Sequence, residues 1–126
     1  MPASLSQIGQ IAVIVHDLDR AVAFYRDVLG LPLLFQAPPK LAFFDCAGVR
    51  LMLSPPEDPE FDHPGSVLYF KVADIQGTWA ALRAGGADLR SEPHLVARMP
   101  DHELWMAFFK DPEGNTLALM SEIRAA

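Results

Sequence analysis

The residues of this chain able to do chemistry fall into two groups. Gln10, Arg50, Tyr69, Lys71 and Thr116 stand singly inside apolar runs. Arginine and lysine suit a carboxylate, phenolate or phosphate, and a tyrosine or lysine could exchange a proton while the arginine held an oxyanion. The second group lies in "EPHLVARMPDHE", where Glu92, His94, His102 and Glu103 flank a hairpin turn expected at Met99 to Asp101. Two histidines meeting across that hairpin would be a metal site of unusual spacing; rim residues in solvent are the simpler reading. His16 belongs to a strand-to-helix bend and His63 to a linker. Cys46, expected at a hairpin turn with no base beside it, is a poor nucleophile.

What positions these groups is a repeat. "VHDLDRAVAFYRDVLGL" from Val15 and "VADIQGTWAALRAGGAD" from Val72 both end a strand in Val-x-Asp-aliphatic and continue as an amphipathic helix. Asp17 and Asp74 are the expected N-caps; Leu18, Val22, Tyr25 and Leu29 form one buried stripe, and Ile75, Trp79 and Leu82 the other. Gly30, and Gly85 with Gly86, are the expected stops. Downstream, "FFDCAGVRLML" from Phe43 and "FKDPEGNTLAL" from Phe109 keep Asp, Gly, Leu and Leu in step, each a hairpin with glycine closing the turn. Each half reads strand, helix, three strands: module 1 over about 7–54, a proline-rich acidic linker over about 55–65, module 2 over about 66–122. The expected fold is α+β, one domain of two tandem βαβββ modules. Together they would form a curved eight-stranded mixed sheet, helices on the convex face and a ligand cup on the concave face.

Strand parity then sorts the side chains. Val49, Leu51, Leu53, Leu117 and Leu119 form aliphatic sets for the helical side, as do Ile11, Val13, Val15, Leu68, Phe70 and Val72. Gln10, Ala12, Ile14, Arg50, Met52, Val67, Tyr69, Lys71, Thr116, Ala118 and Met120 are left for the cup. Hairpin pairing adds Leu41, Phe43, Trp105, Ala107 and Phe109, assignments that a one-residue slip would reverse. A mostly apolar, aromatic cup with a few polar groups is the composition of a small-molecule pocket.

Composition narrows the partners. The chain has 126 residues, 51% hydrophobic, with a formal net charge of −6 and no basic cluster, which argues against nucleic acid. It contains no apolar run of membrane-spanning length, and "MPASLSQIGQ" resembles no export signal. The single cysteine suits a reducing cytoplasm.

"IGQIAVIVHDLDRAVAFYRDVLGL", "VADI" and "DPEGNTLALM" resemble the vicinal oxygen chelate superfamily, which includes glyoxalase I, bleomycin-resistance proteins and extradiol dioxygenases. The resemblance spans about Gln7 to Glu122. It implies four inward metal-ligand stations, which fall here on Gln10, Met52, Val67 and Ala118. Three of these side chains cannot bind a hard or borderline cation, so no metal or other cofactor is expected. The resemblance also implies a homodimer. Two functions follow, beside a third, an assembly role for the acidic surface and exposed sheet edge, of which the sequence gives no positive sign. One is a metal-free protein that binds a small aromatic or anionic molecule. The other is a lyase, isomerase or extradiol-type dioxygenase, working through an unusual metal site or without metal; sequence leaves open whether the protein is an enzyme.

Overall fold

The computed structural model of the chain describes residues 3–37 and 40–124. It divides into two compact units, Met1–His63 and Pro64–Ala126. Each is a four-stranded sheet with one helical segment inserted after its first strand.

Unit 1 runs β1 (Gln10–Ile14), α1 (Leu18–Ala23), β2 (Leu33–Ala37), β3 (Leu41–Cys46) and β4 (Val49–Ser54), and its strands lie in the order β1-β4-β3-β2. β1 and β4 are parallel; the other pairs are antiparallel. A parallel pair needs a crossover, which α1, β2 and β3 supply. Asp17 begins α1 as expected, its carboxylate accepting the Arg20 N–H at 3.2 Å. From Phe24 to Val28 the helix widens into a π turn. That turn brings Phe24 as well as Tyr25 into the buried face, and Tyr25 packs on Phe44 with ring centroids 6.1 Å apart. Ala42, Phe44, Leu51 and Leu53 are therefore the helical side of this sheet, all buried.

The β3–β4 turn has two residues, Ala47 and Gly48, both at positive φ (52° and 97°), the geometry of a turn that matches strand twist. Asp45 closes it by accepting the Gly48 N–H at 3.0 Å.

Unit 2 repeats the plan: β5 (Leu68–Lys71), α2 (Ile75–Ala84), β6 (Asp88–Arg98), β7 (Glu103–Lys110) and β8 (Thr116–Ile123), in the order β5-β8-β7-β6. Asp74 caps α2 through the Gly77 N–H at 3.0 Å, and Ile75, Trp79 and Leu82 are buried, as the heptad-like stripe predicts. Gly77 sits inside a helix because the capping carboxylate of Asp74 occupies the space a Cβ would need. The expected β6–β7 hairpin is present, closed by Met99 N–H to the His102 carbonyl at 2.8 Å.

The two hairpins that look alike in sequence differ in one respect. Asp45 stands opposite Arg50, five residues later, whereas Asp111 stands beside Asn115, four residues later, with Lys110 opposite Thr116. An odd connection reverses the parity of the upstream strand relative to an even one. Phe109 accordingly lies opposite Leu117, and Ala107 opposite Leu119. The sequence reading that put Trp105, Ala107 and Phe109 in the cup is thus overturned: they share the face of Leu117 and Leu119, and Phe109 is 0% exposed. Met106 and Phe108 take the other face.

Candidate functional site

The helix-free face of sheet 1 gathers Gln10, Arg50, Met52 and Phe43, four of the residues singled out by parity, and adds Phe35, which parity did not find. Gln10 and Arg50 are neighbours in the parallel β1–β4 ladder, and Phe43 pairs with Met52 in the β3–β4 ladder. Arg50 Nε donates to Gln10 Oε1 at 2.7 Å, and the Gln10 amide nitrogen reaches Met52 Sδ at 3.8 Å. The Arg50 guanidinium lies over the Phe43 ring, 5.2 Å from its centroid, and Phe35 stacks on Phe43 at 4.6 Å. Asp45, opposite Arg50 in the ladder, accepts from the Gly48 N–H instead. Arg50 is thus an exposed cation oriented by a neutral amide and an aromatic ring. Phe35 was missed because a register shift between Leu33 and Phe35 interrupts the alternation of β2.

On sheet 2, Tyr69, Lys71, Thr116, Ala118 and Met120 share the face left by Leu117 and Leu119. Ala118 is fully buried, flanked in register by Tyr69 on one side and Phe108 on the other. Those two rings meet edge to face at 6.0 Å. Lys71 is not a bare cation, because Glu122 lies 3.3 Å from its ammonium. Val67 falls just before β5 and is exposed.

The histidines do not assemble. His94 stacks on Phe108 in mid-hairpin, whereas His102 bonds Asp101 at the hairpin end, Nδ1 to Oδ1 2.7 Å. Glu103 accepts from Arg98 and from the Trp105 indole, each at 3.3 Å. His16 reaches Asp62 of the linker at 2.8 Å. Among the described residues, no group of three or more His, Cys, Asp and Glu stands where it could hold a metal ion. The four stations implied by the resemblance do not fit a divalent cation either. Met52, Val67 and Ala118 offer no hard donor, and the carbonyl oxygen of Gln10, the one suitable atom, already accepts from a guanidinium that would repel a metal.

Burial first, and the neighbouring Asp45 second, push the Cys46 thiol up from its ordinary value. The thiolate is the reactive form. Alkylation by iodoacetamide at pH 7 should therefore run slower than that of glutathione; an equal or faster rate would contradict this environment.

Two βαβββ units, each with one helix-covered and one open sheet face, define the class of a duplicated α+β module. The chain belongs to the Glyoxalase/Bleomycin resistance protein/Dioxygenase superfamily, whose family model matches residues 7–119. It is 28% identical to the Bacillus subtilis (strain 168) uncharacterized protein YraH, over 87% of this chain and 94% of that one. Among solved structures it resembles a lactoylglutathione lyase from Agrobacterium tumefaciens, with 28% identity, TM-score 0.71, and 93% and 94% of the two chains covered. It also resembles TnmS3, an antibiotic binding protein from Streptomyces sp. CB03234, with 24% identity, TM-score 0.75, and coverage of 96% and 99%. The second of these likenesses concerns the fold alone. No helix of the described residues is long and apolar enough to cross a membrane.

Proposed function

We propose that this protein binds a small planar anion, an aromatic carboxylate or phenolate, without metal, and that Arg50 recognises its charge. The observation that supports this reading is the Arg50 guanidinium, set over Phe43 and held by Gln10 Oε1 at 2.7 Å, with no carboxylate of the described residues paired to it. A bare, oriented guanidinium matches the fork of a carboxylate, and the Phe35–Phe43 stack with Met52 offers the ring a flat apolar wall. Lys71, paired with Glu122 on the other unit's sheet, offers less charge than sequence suggested. A cytoplasmic homodimer completes the proposal, the location supported by the single cysteine of the sequence.

Titration calorimetry of metal-stripped protein with 2-naphthoate tests it. Arg50→Met should weaken binding by about tenfold to a hundredfold, the worth of a charge-assisted hydrogen-bonded contact. Equal affinity in the variant, or binding that requires added metal, would overturn it. The enzymatic alternative draws on the likeness to the Agrobacterium lyase and is opposed by the donor set at Gln10, Met52, Val67 and Ala118. Stoichiometric nickel or zinc, retained by the purified protein and lost in Gln10→Ala, would establish that alternative instead.

A further inference from the structure

The open face of sheet 2 holds a group that the anion reading does not use. His94 Nδ1 lies 2.8 Å from the Glu92 carbonyl oxygen. A carbonyl only accepts, so Nδ1 carries the proton, and in the neutral ring the lone pair is on Nε2. The His94 side chain is exposed, and its ring lies nearly parallel to Phe108, with centroids 6.3 Å apart at 27°. Phe108 in turn meets Tyr69 edge-on at 81°. The backbone under this row is pinned, because the Phe108 N–H donates to Ser91 Oγ at 3.2 Å. Met106, opposite His94 in the ladder, extends the apolar surface. Of the charges on this face, Lys71 and Glu122 pair with each other, and Lys110, opposite Thr116, reaches the Gly114 carbonyl at 3.4 Å. The row of Tyr69, Phe108 and Met106 brings no charge of its own. The face has an aromatic and thioether wall with one oriented hydrogen-bond acceptor.

We propose that His94, Phe108 and Tyr69 form a second recognition element, for a neutral planar aromatic bearing an O–H or ring N–H. The ring packs on the Phe108 and Tyr69 wall, and the donor hydrogen-bonds His94 Nε2. The residues differ from those of the Arg50 site, so either reading can fail without the other.

The test compares 2-naphthol with 2-methoxynaphthalene, equal in ring but unequal in donor, by NMR titration of the full chain with the His94 Nε2 resonance as reporter. The expected result is tighter binding of the naphthol, by about tenfold, the factor that one hydrogen bond supports, together with a shift of that resonance. His94→Leu should make the two probes equal, and His94→Gln should restore part of the preference through its amide oxygen. Equal binding of the probes, binding of neither, a preference that survives His94→Leu, or an Nε2 resonance that does not move would each overturn the assignment.

Discussion

Phe109→Ala is expected to destabilise the protein by about 3–5 kcal/mol, whereas Phe108→Ala should cost only about 1–2 kcal/mol. The rings are adjacent in sequence but lie on opposite faces of β7. Phe109 is 0% exposed and packed against the Leu117 ladder position, so its removal leaves a cavity among aliphatic side chains. Phe108 is half-exposed, and what it loses is contact with His94 and Tyr69. Urea unfolding of both variants measures the difference directly. The parity expected from sequence predicts the reverse order, so the pair of measurements also decides which hairpin register is correct. Phe109→Leu should recover most of the loss, because it refills the volume without requiring a ring.

Asp111→Ala is the second large effect, on the order of 3 kcal/mol. The Asp111 side chain is buried at the head of the β7–β8 connection, where one carboxylate oxygen accepts the backbone N–H of Glu113 and of Asn115, each at 2.9 Å. The other oxygen accepts the Asn115 side-chain amide, also at 2.9 Å. Alanine leaves these donors without their acceptor, and hydrogen bonds to a charged group are worth roughly 1.5–3 kcal/mol each, without simple additivity. Asp111→Asn should fall between: Oδ1 still serves the two backbone donors, while two amide groups then face each other donor to donor. Thermal and urea unfolding check the order wild type, Asn, Ala; a neutral Asp111→Ala would show that the turn is held by its backbone alone. Because this turn sets the parity of β7, its loss should also loosen the Phe108 row while leaving sheet 1 intact.

Much of the fold was legible in the chain because local chemistry repeats. Asp17 and Asp74 had to cap helices: each precedes an amphipathic run, and each carboxylate finds an N–H three residues on. The aliphatic alternation of "VRLML" and "TLALM" assigned Leu51, Leu53, Leu117 and Leu119 to the buried side, where they lie. Phe43, assigned by hairpin pairing to the face of Arg50 and Met52, pairs with Met52. Trp105 and Phe109 were not, because aligned Asp and Gly residues conceal whether a connection pairs across four residues or five, and a difference of one reverses every side chain upstream.

The amino-acid sequence by itself determined the duplicated βαβββ plan, the helix starts, the core faces of the strands adjoining each glycine turn, and the lack of hard donors at Met52, Val67 and Ala118. Those depend on residue type and on periods of 2 and 3.6, which are local. Only tertiary structure decided that Gln10 would turn its carbonyl to Arg50, that Lys71 would be neutralised by Glu122, and that His94, Phe108 and Tyr69 would form one row. Each of these joins residues of different strands, and the coupling depends on ladder register, which no single segment encodes.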